Sequence, residues 1–125
     1  MSNAAELEEQ TQSIELSIES AKKTMQRAEA LARLGNNRDF IDLITEGYFK
    51  EEPARLAILK ASPSMRDVDS QAAVVKGLDS IGALWMYFNT VEAFGEQARS
   101  AIASDEQELE VIANEARELG TEGSI

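Results

Sequence analysis

The chain contains no cysteine and no histidine. The first absence removes any disulfide framework, thiol nucleophile or thiolate metal site. The second removes the usual neutral-pH proton carrier and the commonest metal ligand. Together they exclude zinc sites of ordinary composition and most nucleophile–base triads, but they do not exclude carboxylate chemistry. Proline is scarce, with Pro53 and Pro63 alone. Aromatics are few and uneven: Phe40, Tyr48, Phe49, Trp85, Tyr87 and Phe88 fall in the middle of the chain, and Phe94 just beyond. No apolar run approaches the roughly 20 residues of a membrane span, and the polar N-terminus does not resemble a signal peptide. A soluble, intracellular protein without a membrane partner is expected.

Basic residues are also in deficit. Twelve Lys and Arg against 23 Asp and Glu give a net charge of −11. Between Glu96 and Ile125, eight acids face Arg99 and Arg117 only, a local balance of −6. Such a field repels phosphate backbones, so direct nucleic-acid binding is disfavoured. The ordinary role of a charge run of this kind is a solvated helix face, and the sharper one is a negative surface offered to a basic partner.

What the chain does contain is helical periodicity. With 125 residues it has the length of one domain with a modest core. From Ala4 to Leu34 there is neither proline nor glycine. Leu7, Thr11, Ile14, Ile18, Ala21, Met25, Ala28 and Ala32 recur at alternating steps of four and three, the spacing of a heptad seam. The spacing predicts one amphipathic helix over 4–34, about 45 Å long at ~1.5 Å per residue. A rod of that length needs a partner, from this chain or a second copy. Gly35 is expected to stop it by adopting positive φ.

Residues 36–66 read as short helices. Asn37 or Asp39 caps one that runs to about Lys50, with Phe40, Ile41, Ile44, Tyr48 and Phe49 as its apolar face. Pro53 is expected in the first turn of a new helix, where its missing N–H costs nothing, rather than inside a continuous one. Leu56 and Leu59 are its buried residues, and Ser62-Pro63-Ser64 ends it. Asp67 or Asp69 then caps a long element over 67–119. Asp67-x-Asp69 is not a calcium loop, because Ala72 and Leu78 occupy the positions of the required glycine and bidentate Glu.

Within 67–119, Val74, Leu78, Ile81, Trp85, Phe88 and Val91 step by three and four. Ala98, Ile102, Asp105, Leu109, Ile112, Ala116 and Leu119 continue the pattern. Gly77, Gly82 and Gly95 are expected to allow close helix crossing. Asp105 lies on the seam, so either the helix breaks and restarts at Ser104 or Asp105 turns to water at a stagger. Residues 120–125 are expected to form a frayed tail. The fold class is all-α, a single domain. Its long N- and C-terminal helices pair as an antiparallel or oligomeric coiled-coil-like bundle, with a small central helical head.

No catalytic or metal-binding residue is assigned, and no cofactor is implied. Tyr48 and Phe49, adjacent on one helix, cannot both face inward, so one is a candidate contact residue. Tyr87 lies off the Trp85 and Phe88 face and is another. The seam residues Leu7, Ile14, Ile18, Met25, Leu109 and Ile112 are the candidates for helix pairing.

The middle of the chain contains three motifs: Asp39-Phe40-x-x-Leu43-Ile44-x-x-Gly47-Tyr48-Phe49, Arg55-Leu56-x-x-Leu59-Lys60-Ala61-x-Pro63, and Ile81-x-x-Leu84-x-x-Tyr87-Phe88-x-x-Val91. Over Asn36–Val91 the chain resembles small helical proteins encoded by tailed bacteriophages near their particle-assembly genes. The resemblance implies a head or connector component, an assembly factor, or an inhibitor of host defence. It places the chain in the host cytoplasm or the virion, with further copies of itself and other phage or host proteins as partners. Pro53 departs from the pattern, which puts a continuous helix across Lys50–Ala54 in question.

Overall fold

The computed structural model describes residues 3–123, and among them there is no β-strand. Helix α1 spans Ala4–Leu34, the single turn α2 spans Arg38–Phe40, and a π-helical segment follows over Ile41–Glu51. Helix α3 (Glu52–Ala61), a 3₁₀ turn (Pro63–Met65) and helix α4 (Val68–Gly123) complete the order. The chain divides into two compact units. One combines the chain through Ala28 with the chain from Ala93 onward, and the other is Glu29–Glu92.

In the first unit, the long N- and C-terminal helices pack on each other. Leu7, Ile14 and Ile18 of α1 and Ile112 of α4 form its buried cluster, with Ile102, Leu109 and Leu119 against it. These are the positions that the four–three spacing selects, and each buried Leu or Ile contributes roughly 1.5–3 kcal/mol before the cost of ordering. Gly95 lies against Ala28, while Leu7 shares a groove with Leu119, so the two helices run antiparallel here. Thr11 stays on the seam because its hydroxyl donates to the Leu7 carbonyl at 2.8 Å. At the start of α1, Asn3 Oδ1 accepts from Glu6 N at 2.9 Å and Glu6 Oε2 accepts from Asn3 N at 3.3 Å. This reciprocal cap satisfies two otherwise orphaned donors.

The end of α1 differs from expectation. No glycine among the described residues has positive φ. Instead Asn36 N bonds Arg33 O and Asn37 N bonds Leu34 O, tightening the last turn, while Asn36 Nδ2 donates to Ala32 O. The terminal carbonyls are satisfied without a left-handed residue. Asn37 then caps the next helix, its Oδ1 accepting from Phe40 N at 3.0 Å.

Pro53 lies in the first turn of α3, as expected, but no break in the helical backbone precedes it. Glu51 and Glu52 both have helical φ and ψ, and the backbone turns continuously from Arg38 to Ala61. What changes at the proline is the hydrogen-bond step. Ahead of it the Glu52 N–H reaches back five residues to Gly47 O. This wider turn carries the chain up to a residue that has no N–H to give, and Pro53 falls in the first turn of α3.

Helix α4 is also continuous, without a break at Ser104. It runs on to Gly123 through the stretch expected to fray, and residues 124–125 lie outside the described residues. Asp67 caps its start, Oδ2 accepting from Ser70 N at 3.0 Å. The Ser70 hydroxyl and then the Ser70 N–H hold the Asp67 carboxyl below its ordinary value. The second unit centres on Leu56, Val74 and Ile81, with Tyr48, Phe49, Leu59, Met65 and Leu78 against them. Gly77 lets α3 approach closely, since a Cβ there would stand 3.1 Å from Leu56 Cδ1. Gln71 ties the α3–α4 connection together: its Nε2 donates to Lys60 O at 2.9 Å and to Met65 O at 2.6 Å.

Candidate interaction surface

Most of the residues selected for pairing are consumed within the chain. Leu7, Ile14, Ile18 and Ile112 are buried in the first unit, Leu109 packs beside them, and Met25 is half-buried. They hold the chain's own helix pair, leaving little of themselves for another molecule. Tyr48 and Phe49 correct an expectation, since both pack against the Leu56, Val74 and Ile81 cluster. The π-helical segment is the reason. Its wider turn rotates successive residues less, so two neighbours share one face. Phe49 is the hub: its ring lies 5.3 Å from Trp85 and 5.9 Å from Phe88, both edge-on, and 5.8 Å from Tyr48.

Tyr87 is exposed as expected, 6.1 Å from the Phe88 ring. Trp85, assigned to the inward stripe, is instead about half exposed, with its edge contact to Phe49 as its hold on the core. Leu43 and Ile58 are exposed singly, which is ordinary for a protein surface.

One exposed set is not scattered. Val68, Ala72, Val75, Asp79, Gly82 and Met86 follow one another on α4 at steps of four, three, four, three and four. Those steps make a second heptad stripe, turned away from the inward residues Val74 and Ile81. Val68 is 84%, Val75 42% and Met86 68% exposed. A Cβ built on Gly82 would meet nothing within 4 Å. Alternation by four and three was the signal that found the inner seams, and the same signal was present here; the inner stripe masked it.

A second feature is a groove of about 530 Å³ between the ends of the paired helices in the first unit. Leu7, Leu109, Ile112, Ala116 and Leu119 floor it, and Glu8 stands at its side. Asp105 sits nearby on the α4 seam with a buried Oδ2 that has no hydrogen-bond partner. The helix does not restart here, and the carboxylate, on a half-buried residue, has one of its two oxygens turned into the protein.

Among the described residues no group of three or more Asp or Glu is placed to hold a metal ion, and no helix is long and apolar enough to cross a membrane. The ion pairs Glu46–Lys50, Glu52–Arg55 and Glu96–Arg99 are local pairs on helix surfaces. In the Glu52–Arg55 pair the hydrogen bond lowers the carboxyl and raises the guanidinium. Pairs so exposed tune helix stability and assemble no cleft. No protein-family model matches the chain, and no curated protein or solved structure matches it either.

Proposed function

We infer that the chain is a non-catalytic helical interaction protein that acts through self-association. The resemblance of Asn36–Val91 supports a tailed-phage particle or its assembly as the setting of this role. The observation that carries the reading is the exposed heptad stripe Val68, Ala72, Val75, Asp79, Gly82 and Met86 on α4. Apolar side chains at that spacing pack knobs into holes against another helix, and Val68, Val75 and Met86 stay exposed in the folded chain. Light scattering across a concentration series tests it. A mass at a whole multiple of 13.7 kDa is expected. A chain that stays monomeric at high concentration overturns it. Mass spectrometry of purified particles from a phage encoding the chain tests the setting, with many copies per particle expected.

The groove supports a second reading, an acidic inhibitor of a host defence or nucleic-acid-binding protein. Its apolar floor is flanked by Glu8 and belongs partly to the strongly acidic C-terminal stretch. A basic amphipathic helix has the complementary chemistry. Binding of a basic nucleic-acid-binding protein that weakens steeply with salt and is lost in Ala116→Trp, which fills the groove, is the expected result.

A further inference from the structure

We propose that the occupant of the outer stripe on α4 is the same stripe of a second copy, running antiparallel about a two-fold axis at the level of Gly77. This rests on the self-association reading and adds the partner surface, direction and register. The stripe is self-complementary in one direction only. In the antiparallel arrangement its layers pair Val68 with Met86, Ala72 with Gly82, and Val75 with Asp79 of the second copy, and the two-fold repeats each layer. The two smallest residues meet, so the helices approach closely. Gly82 has open space above it, which is what a closely docked backbone requires. A parallel pair would instead stack each residue on itself. It would bring Asp79 against Asp79 in the middle of an apolar seam, where like charges are desolvated together.

Charge favours the same choice. Asp79 is the single ionised residue on the stripe, and Lys76 lies one helical turn back at its margin. With Asp79 opposite Val75 of the second copy, Lys76 of that copy flanks it. The two-fold makes two such pairs, one on each side of the axis. An acidic chain that must associate with itself gains from a contact where opposite charges meet.

The native chain has no cysteine, so paired-cysteine crosslinking of the full-length protein carries no background. The double variant Ala72→Cys/Gly82→Cys is the principal test. Ala72 is exposed and a Cβ on Gly82 would meet nothing within 4 Å, and the two thiols stand about 15 Å apart along one helix, so they cannot join within a chain. Under mild oxidation this variant is expected to convert to a covalent dimer, and each single variant to form no covalent crosslink while still associating. Val68→Cys/Met86→Cys is expected to behave the same way. Crosslinking of Ala72→Cys or Val75→Cys alone would overturn the antiparallel register and leave self-association standing. No crosslink in any variant, with a monomer mass throughout, would overturn both. As a check on charge, Asp79→Lys is expected to weaken dimerisation roughly tenfold, and Lys76→Asp/Asp79→Lys to restore it. Equal dimerisation of all three proteins would overturn the assigned role of the pair.

Discussion

The methyl group of Ala28 occupies the space that any side chain on Gly95 would need. A Cβ built on Gly95 overlaps it, and the obstacle is held close to the α1 backbone, unable to swing aside. Alanine is worth about 1 kcal/mol more than glycine inside a helix, while overpacking costs about 1–3 kcal/mol. The contact should win. Gly95→Ala is expected to lose roughly 1 kcal/mol net, read from the urea midpoint, and Ala28→Gly/Gly95→Ala to lose less than the two single changes together. Gly82→Ala, where the added Cβ meets nothing, is expected to gain up to about 1 kcal/mol at monomer concentrations. Equal effects at the two glycines would show that the Ala28 contact does not constrain the pair.

Asp105 is a stabilising substitution waiting to be made. It has a buried, unpartnered oxygen, and the seam positions on either side of it, Ile102 and Leu109, pack against the first unit's core. Asp105→Leu is expected to raise stability by about 1–2 kcal/mol, with a higher thermal midpoint. Asp105→Asn retains a polar group with the same unmet demand and should change little. A lower midpoint for the leucine variant would mean that water reaches the carboxylate in solution.

Gln71 donates to two backbone carbonyls, Lys60 O and Met65 O, on the α3–α4 connection. Gln71→Leu keeps the bulk and removes both bonds, for an expected loss of about 1–3 kcal/mol. Amide exchange around Lys60–Ser70 should quicken while the first unit is unchanged. Uniform quickening across the chain would show that the staple is not local.

The Asp67 cap makes stability depend on pH in one direction. The folded carboxyl is depressed, first by the Ser70 hydroxyl and then by the Ser70 N–H. Its contribution is therefore complete above the ordinary carboxyl value of 3.8 and is lost as pH falls through the lower folded value. Asp67→Asn preserves a side-chain acceptor without the titration. The stability advantage of the native chain over Asp67→Asn should shrink on acidification from pH 5 to pH 2, where ~4 is the ordinary midpoint. A difference that stays constant across that range would rule out the cap as its source.

Periodicity made the helices legible because burial follows spacing. Leu7, Ile14, Ile18, Val74, Ile81, Val91, Ala98 and Ile112 were selected by steps of three and four, and all are buried. Capping chemistry was equally local, so Asn37 and Asp67 could be read directly. The misread features depend on backbone choices with no side-chain signature. Nothing in Ile41–Glu51 announces a five-residue hydrogen-bond step, and without it Tyr48 and Phe49 seem unable to share a face. Gly35 looked like a left-handed stop, but Asn36 supplied another way to satisfy the same carbonyls. Ser104 has the composition of a cap, yet packing on both sides carries the helix through it. Of the candidate surface, Tyr87 was visible in the sequence. The outer stripe is harder to read, because one helix carries two heptad patterns and the more apolar one dominates.

The edge-on contact between Phe49 and Trp85 gives the molecule a built-in optical probe. Trp85 is the chain's only indole, and it belongs wholly to the Glu29–Glu92 unit, so emission melts with that unit's ring cluster. Circular dichroism at 222 nm instead weighs every helical turn. Overlaying the two thermograms tells whether the molecule loses its halves together or in succession, without adding a label.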